Sequence, residues 1–199
     1  MSMRLILAAV LGAIAMFFWS FIAHMVLPLA EAGIKEFPNE KAVAAALEKE
    51  IGDNPGTYIF PGPGVGPNAT KEEKHKAMEQ LAADYAKKPS GLLIYHSPGS
   101  REFAFGKWLT GEFAIELLEC LLAVFLLAQT RHLSFGARVG FVSVLGIAVA
   151  VWTNMSYWNW YGFSRRYTAA YMVTEAVGFI FAGVVIALVL KNKPFADTR

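Results

Sequence analysis

Cysteine is almost absent from this chain, and so is uncompensated charge. The sole thiol, Cys120, lies inside the apolar run 115–128, so no disulfide can form within one chain and no cysteine-based metal motif exists. In such a run it reads as a small packing residue. Charged residues make up 17% of the 199, below the roughly 25% usual in soluble domains. Their net charge of +2 is too small and too scattered to hold a nucleic-acid backbone. The common catalytic signatures are missing as well: there is no nucleophile elbow, zincin helix, dinucleotide fingerprint or c-type haem attachment motif. The Pro/Gly-rich segment 61–67 lacks the Lys-Ser/Thr ending of a phosphate-binding loop and reads as a turn or linker.

Apolar residues fill that space. They make up 55% of the chain, and the mean hydropathy is +0.40. Four stretches, 5–29, 108–128, 141–163 and 167–190, each offer the roughly 20 mostly apolar residues that cross a bilayer core. Lipid cannot satisfy backbone hydrogen bonds, so runs of this kind must be helices. The expected fold is an all-α membrane protein, a bundle of four transmembrane helices with a small α/β extracytoplasmic insert. Its divisions are a first helix within 1–29, the insert at 30–107, and three further helices within 108–199. Arg4 and the sequence Ala30-Glu31-Ala32 imitate a signal peptide, but the apolar part exceeds the 7–15 residues of a signal core. The first run is therefore read as retained, while cleavage would leave three helices.

Short-loop cations set the orientation. Arg4, Arg131, Arg138, Lys191, Lys193 and Arg199 all lie on one side if both termini are cytoplasmic. Arg165 and Arg166 in the opposite turn weigh against this assignment. Within the insert, Asn39 can cap a helix over 40–51, and Thr70 with Glu73 forms a capping-box pattern that opens a helix over 70–87. Segments 57–60 and 91–96 read as strands, and the strand, helix, strand order permits a small parallel pair.

Ionisable residues at bilayer depth are costly and usually face the bundle interior. His24, Glu112, Glu116, Glu119 and Glu175 stand out, and the third apolar run adds Asn154 and Asn159. With both termini inside, each falls in the outer half of its helix, although the helices alternate in direction. Glu112, Glu116 and Glu119 recur at i, i+4 and i+7, which places them along one helical face. The expectation is a polar cavity opening outward, lined by His24, Glu116, Glu119, Asn154 and Glu175. Carboxyls and an imidazole in apolar surroundings can carry protons, bind a cation or act as acid and base, or they can simply hydrogen-bond between helices. By residue type, Glu116, Glu119 and His24 form a ligand set for iron, manganese or zinc. Their spacing departs from the Glu-x-x-His pattern of ferritin-like sites, so metal and cofactor stay open.

Trp19, Trp152, Tyr157 and Trp158 are candidates for an aromatic wall beside the carboxylates, suited to a quinone, a lipid headgroup or an organic cation. The alternative for the tryptophans and tyrosines is an interfacial belt. Small-xxx-small pairs Ala8/Gly12, Ala9/Ala13, Gly146/Ala150 and Gly178/Ala182 permit close helix packing, within one bundle or between copies.

Residues 19–29, WSFIAHMVLPL, and 58–62, YIFPG, resemble a family of uncharacterised small bacterial four-helix inner-membrane proteins. That resemblance implies the bacterial inner membrane and makes Asn68 an unmodified match to a glycosylation motif; it implies no activity. The leading expectation is an integral membrane accessory or binding protein whose polar cavity takes a proton, cation or small amphiphile. Its expected partners are the lipid bilayer and a larger membrane complex or a second copy of the chain. Two alternatives stand beside it: a membrane-embedded enzyme using Glu116, Glu119 and His24 on a lipid or quinone, and a small oligomeric transporter.

Overall fold

The computed structural model describes residues 2–130 and 133–191; Arg131, Lys193 and Arg199, invoked above for orientation, lie outside them. The chain forms α1 (Met3–Phe21), extended by a π-helical turn (Ile22–Val26), then a 3₁₀ turn (Leu29–Glu31), α2 (Glu40–Ile51), β1 (Gly56–Phe60), α3 (Lys71–Tyr85), β2 (Gly91–Tyr95), α4 (Phe105–Ala128), α5 (Phe135–Tyr161) and α6 (Arg165–Val189). It divides into two compact units, Met1–Lys35 with Ala104–Arg199, and Glu36–Phe103.

The first unit is built from α1, α4, α5 and α6. Along the chain these helices alternate in direction, and α1 packs on both α4 and α6 while α5 packs on α6; α4 and α5 touch only sparsely. Small residues make the close contacts. Ala8, Ala9 and Ala13 of α1 are fully buried, and a Cβ added to Gly12 would stand 2.9 Å from Ile186 on α6. Around them Val124, Leu127, Val142, Phe179 and Ile186 form the core. Ser134 and Ser164 cap α5 and α6 by accepting from the amides of Ala137 and Tyr167. At the far end of α6, Arg4 donates to the Val189 carbonyl from Nε at 2.9 Å and Nη2 at 2.6 Å, and Arg138 donates to the Leu190 carbonyl. Two cations from neighbouring helices thereby satisfy the orphan carbonyls of a helix C-terminus, where positive charge also complements the helix dipole.

Among the described residues, three helices are long and apolar enough to cross a membrane: Met3–Val26, Phe135–Tyr161 and Arg165–Val189. α4 is of similar length but carries Glu112, Glu116 and Glu119, which removes it from a reading by apolarity alone. Large apolar side chains on all four helices face outward, among them Phe18, Leu122, Ile147 and Ile180. Such a surface requires an apolar solvent or partner.

The second unit holds α2, α3 and the sheet. Asn39 Oδ1 accepts from the Ala42 amide at 3.2 Å, and Thr70 and Glu73 close a full capping box at the start of α3. The strands pair antiparallel, with Gly56 opposite Tyr95 and Phe60 opposite Gly91, which corrects the expected parallel pair. A parallel pair needs a connection that travels the length of the sheet. Here the linker 61–70, if extended, spans about 30 Å or more, and the 15 residues of α3 rise about 22 Å, so the two can run out and back and return the chain to its starting edge. Neither α2 nor α3 buries a residue. Tyr95 and Ser97 are the only buried residues described in this unit, and the Tyr95 hydroxyl donates to the Gly52 carbonyl just after α2.

Candidate functional site

Trp19 on α1 donates from its indole nitrogen to the Thr174 carbonyl on α6 at 2.9 Å, which sets these two helices at one level. The next residue on each is polar: Ser20 and Glu175. Ser20 Oγ donates to Glu116 Oε1 on α4 at 2.6 Å. Glu175 Oε2 accepts from Asn154 Nδ2 on α5 at 2.9 Å, and the same amide donates to the Ala150 carbonyl at 3.0 Å. Each of the four long helices thus contributes one polar side chain to a common layer. Measured by rise along its own helix, Glu116 lies about 16 Å beyond the start of α4 and Glu175 about 15 Å beyond the start of α6.

Glu116 is 3% exposed, and its second oxygen, Oε2, is buried without a hydrogen-bond partner among the described residues. A half-satisfied carboxyl away from water is costly wherever it occurs, so its place in the layer calls for a compensating role. Asn154 is also buried, whereas Glu119 and Glu175 are half-buried. Glu119 lies within Coulombic reach of both Glu175 and Glu112, which links α4 electrostatically to α6. Glu112 itself is exposed.

His24 sits one turn beyond Ser20, in the π-helical turn. Its Nδ1 lies 2.8 Å from the Ser20 carbonyl, and a carbonyl can only accept, so Nδ1 is the donor of that contact. This bond goes to the backbone, not to the Ser20 hydroxyl, and Ser20, His24 and Glu116 therefore do not form a nucleophile-base-orienter relay. π-Turns are frequent at functional sites, where the extra residue re-aims a side chain. Among the described residues, no three of His, Cys, Asp and Glu converge closely enough to hold a metal ion.

The aromatic candidates separate. Trp19 belongs to the layer through its bond to Thr174 and stacks on Phe181 with ring centroids 5.5 Å apart. Trp152 is 84% exposed and stands apart from the carboxyls. Tyr157 begins a continuous run of rings: Tyr157 to Phe163 at 5.5 Å, Phe163 to Tyr167 at 5.1 Å, Tyr167 to Tyr171 at 4.3 Å, and Tyr171 to His24 at 6.3 Å. Trp158 instead lines a groove between α5 and α6. Asn159 is exposed. Ser20, Thr174, Tyr167 and Tyr171 escaped the sequence reading. The spacing of Ser20 four residues before His24 was the one signal for the first; serines and tyrosines in apolar runs are otherwise too common to single out.

Comparison with known protein families, with curated proteins and with solved structures returns no match, so the functional reading rests on this geometry.

Proposed function

We propose that the chain is an integral membrane accessory or binding protein, with all four long helices crossing the bilayer and the polar layer serving as the site for a proton, cation or small amphiphile. The observation that carries the proposal is Glu116: a carboxyl nearly sealed from water, with one oxygen engaged by Ser20 and the other without a partner among the described residues, in a layer fed by four helices. A group in that state gains from any proton or polar headgroup that completes it.

Two features support the four-span arrangement. α4 has 24 residues and so rises about 36 Å, enough for a hydrocarbon core near 30 Å. Its deeper glutamates turn inward, while Leu118, Leu122 and Phe125 are exposed where lipid would lie. Since α1 supplies Ala8, Ala9, Ala13 and Met16 to the core, this reading retains it in the working protein. Placing Arg4, Arg138 and Lys191 on the cytoplasmic side follows the positive-inside rule and puts Glu36–Phe103 outside. That unit, with its exposed helices and sparse interior, is suited to docking on a partner, which favours the accessory form of the proposal.

Infrared difference spectroscopy on the protein in lipid vesicles tests the site. The expected result is a pH-sensitive carboxyl band that is lost in Glu116→Gln while the amide bands stay unchanged. An identical carboxyl response in wild type and Glu116→Gln overturns the assignment of Glu116.

A further inference from the structure

Away from the polar layer, α5 and α6 enclose a groove of about 420 Å³ lined by Met155, Trp158, Arg165, Thr168, Ala169 and Met172. Its composition is graded. Arg165 opens α6, and Met172 lies seven residues further along, about 10 Å by helical rise, so the residue that carries the cation and the thioethers lie at opposite ends, while the groove's own surface is almost wholly apolar. Trp158 stands beside the cationic end, at a level that tryptophan favours at membrane interfaces. Neither Arg165 nor its neighbour Arg166 has an ion-pair partner among the described residues. Thr168, in the same wall, is 5% exposed and its hydroxyl has no hydrogen-bond partner among those residues.

We infer that this groove is a binding site for an anionic phospholipid, its phosphate held by Arg165 and one acyl chain lying along Met155, Ala169 and Met172. The guanidinium fork matches a phosphate diester through two parallel hydrogen bonds, and the adjoining charge of Arg166 favours a headgroup with net negative charge over a zwitterionic one. Methionines adapt to an irregular chain without a fixed shape requirement, and the small side chain of Ala169 leaves the groove open at its middle. The choice of a lipid rests on the reading proposed above that α5 and α6 cross the bilayer, which the exposed Met155, Trp158 and Ala169 would then face.

The full chain, delipidated in detergent, is titrated with phosphatidylglycerol or phosphatidylcholine of the same acyl chains, and bound lipid is counted by native mass spectrometry. Wild type is expected to retain phosphatidylglycerol in preference to phosphatidylcholine. Arg165→Ala should weaken retention by about tenfold, the scale of one lost charge-assisted hydrogen-bond set. Ala169→Phe, which fills the groove and leaves both arginines in place, should weaken it as well. Equal retention of the two lipids by wild type, or unchanged phosphatidylglycerol retention in either variant, overturns the inference.

Discussion

Gly146 on α5 lies so close to α6 that a Cβ built on it would stand 2.2 Å from the Phe179 Cβ, a separation real atoms do not adopt. Gly146→Ala therefore forces the α5–α6 contact apart. A loss of about 1–3 kcal/mol, the usual range for overpacking, should appear as a lower unfolding midpoint in detergent. Phe179→Ala in the same chain keeps the clashing Cβ but removes the ring carbons at 2.4 and 2.8 Å, so it should relieve part of the strain and make the two changes less than additive, as expected for residues in contact. At the polar layer the signs differ from residue to residue. Ser20→Ala leaves the buried Glu116 carboxyl with neither oxygen partnered and should destabilise by about 1–3 kcal/mol. Glu116→Leu removes the demand itself and should be close to neutral or stabilising. Thermal melts of the two variants check this, and a Glu116→Leu protein less stable than Ser20→Ala would show that the carboxyl holds the helices together.

At the scale of elements, α3 carries a pH dependence that can be worked out. The Thr70 amide and hydroxyl bond Glu73 and hold its carboxyl below the usual glutamate range, and a hydrogen bond from Lys88 does the same for Asp84 near the other end. A carboxyl with a lowered folded pKa contributes stability above its unfolded value, near 4.3 for Glu and 3.9 for Asp, and loses it as the pH falls through the folded value. Amide exchange in the first and last turns of α3 should therefore quicken relative to the helix middle on acidification below about pH 4. In Glu73→Gln/Asp84→Asn that change should vanish, and its persistence in the double variant would place its origin elsewhere. This helix was legible because a cap is a local contact: Thr70 and Glu73 are three residues apart, and Asn39 caps α2 across the same short span. The strand pairing was not, since its direction depends on how linker 61–70 and α3 return the chain. The π-turn holding His24 was equally hidden, because nothing in residues 22–26 demands the extra residue.

For the molecule as a whole, hydropathy revealed the apolar helices, and the charges within them revealed the level at which they meet. His24, Glu116, Asn154 and Glu175 all lie toward the end of the bundle where the chain leaves for the insert, as their positions in helices of alternating direction imply. The partners that complete the layer, Ser20 and the Trp19–Thr174 bond, depend on helix rotation and on the order of neighbours, which no single sequence states. Orientation across the membrane rests on a charge imbalance: Arg4 and Arg138 gather at the C-terminus of α6, against Arg165 and Arg166 at its start. The first pair is engaged with helix carbonyls, and Lys191 adds to the same side, so that end is expected to face the cytoplasm. Single-cysteine labelling reads this out cleanly, because Cys120 is 1% exposed and gives little background; replacing it as Cys120→Ser removes what remains. Asn68→Cys lies in the insert. Gly136→Cys lies on an exposed, uncrowded turn of α5 near Arg138, where an added Cβ meets nothing within 4 Å. In intact bacterial cells stripped of their outer membrane, a membrane-impermeant maleimide should modify Asn68→Cys at once and Gly136→Cys only after permeabilisation. The reverse pattern would invert the protein. Labelling of both sites from the outside would mean that no helix crosses between them, leaving α4 out of the bilayer despite its inward-turned glutamates.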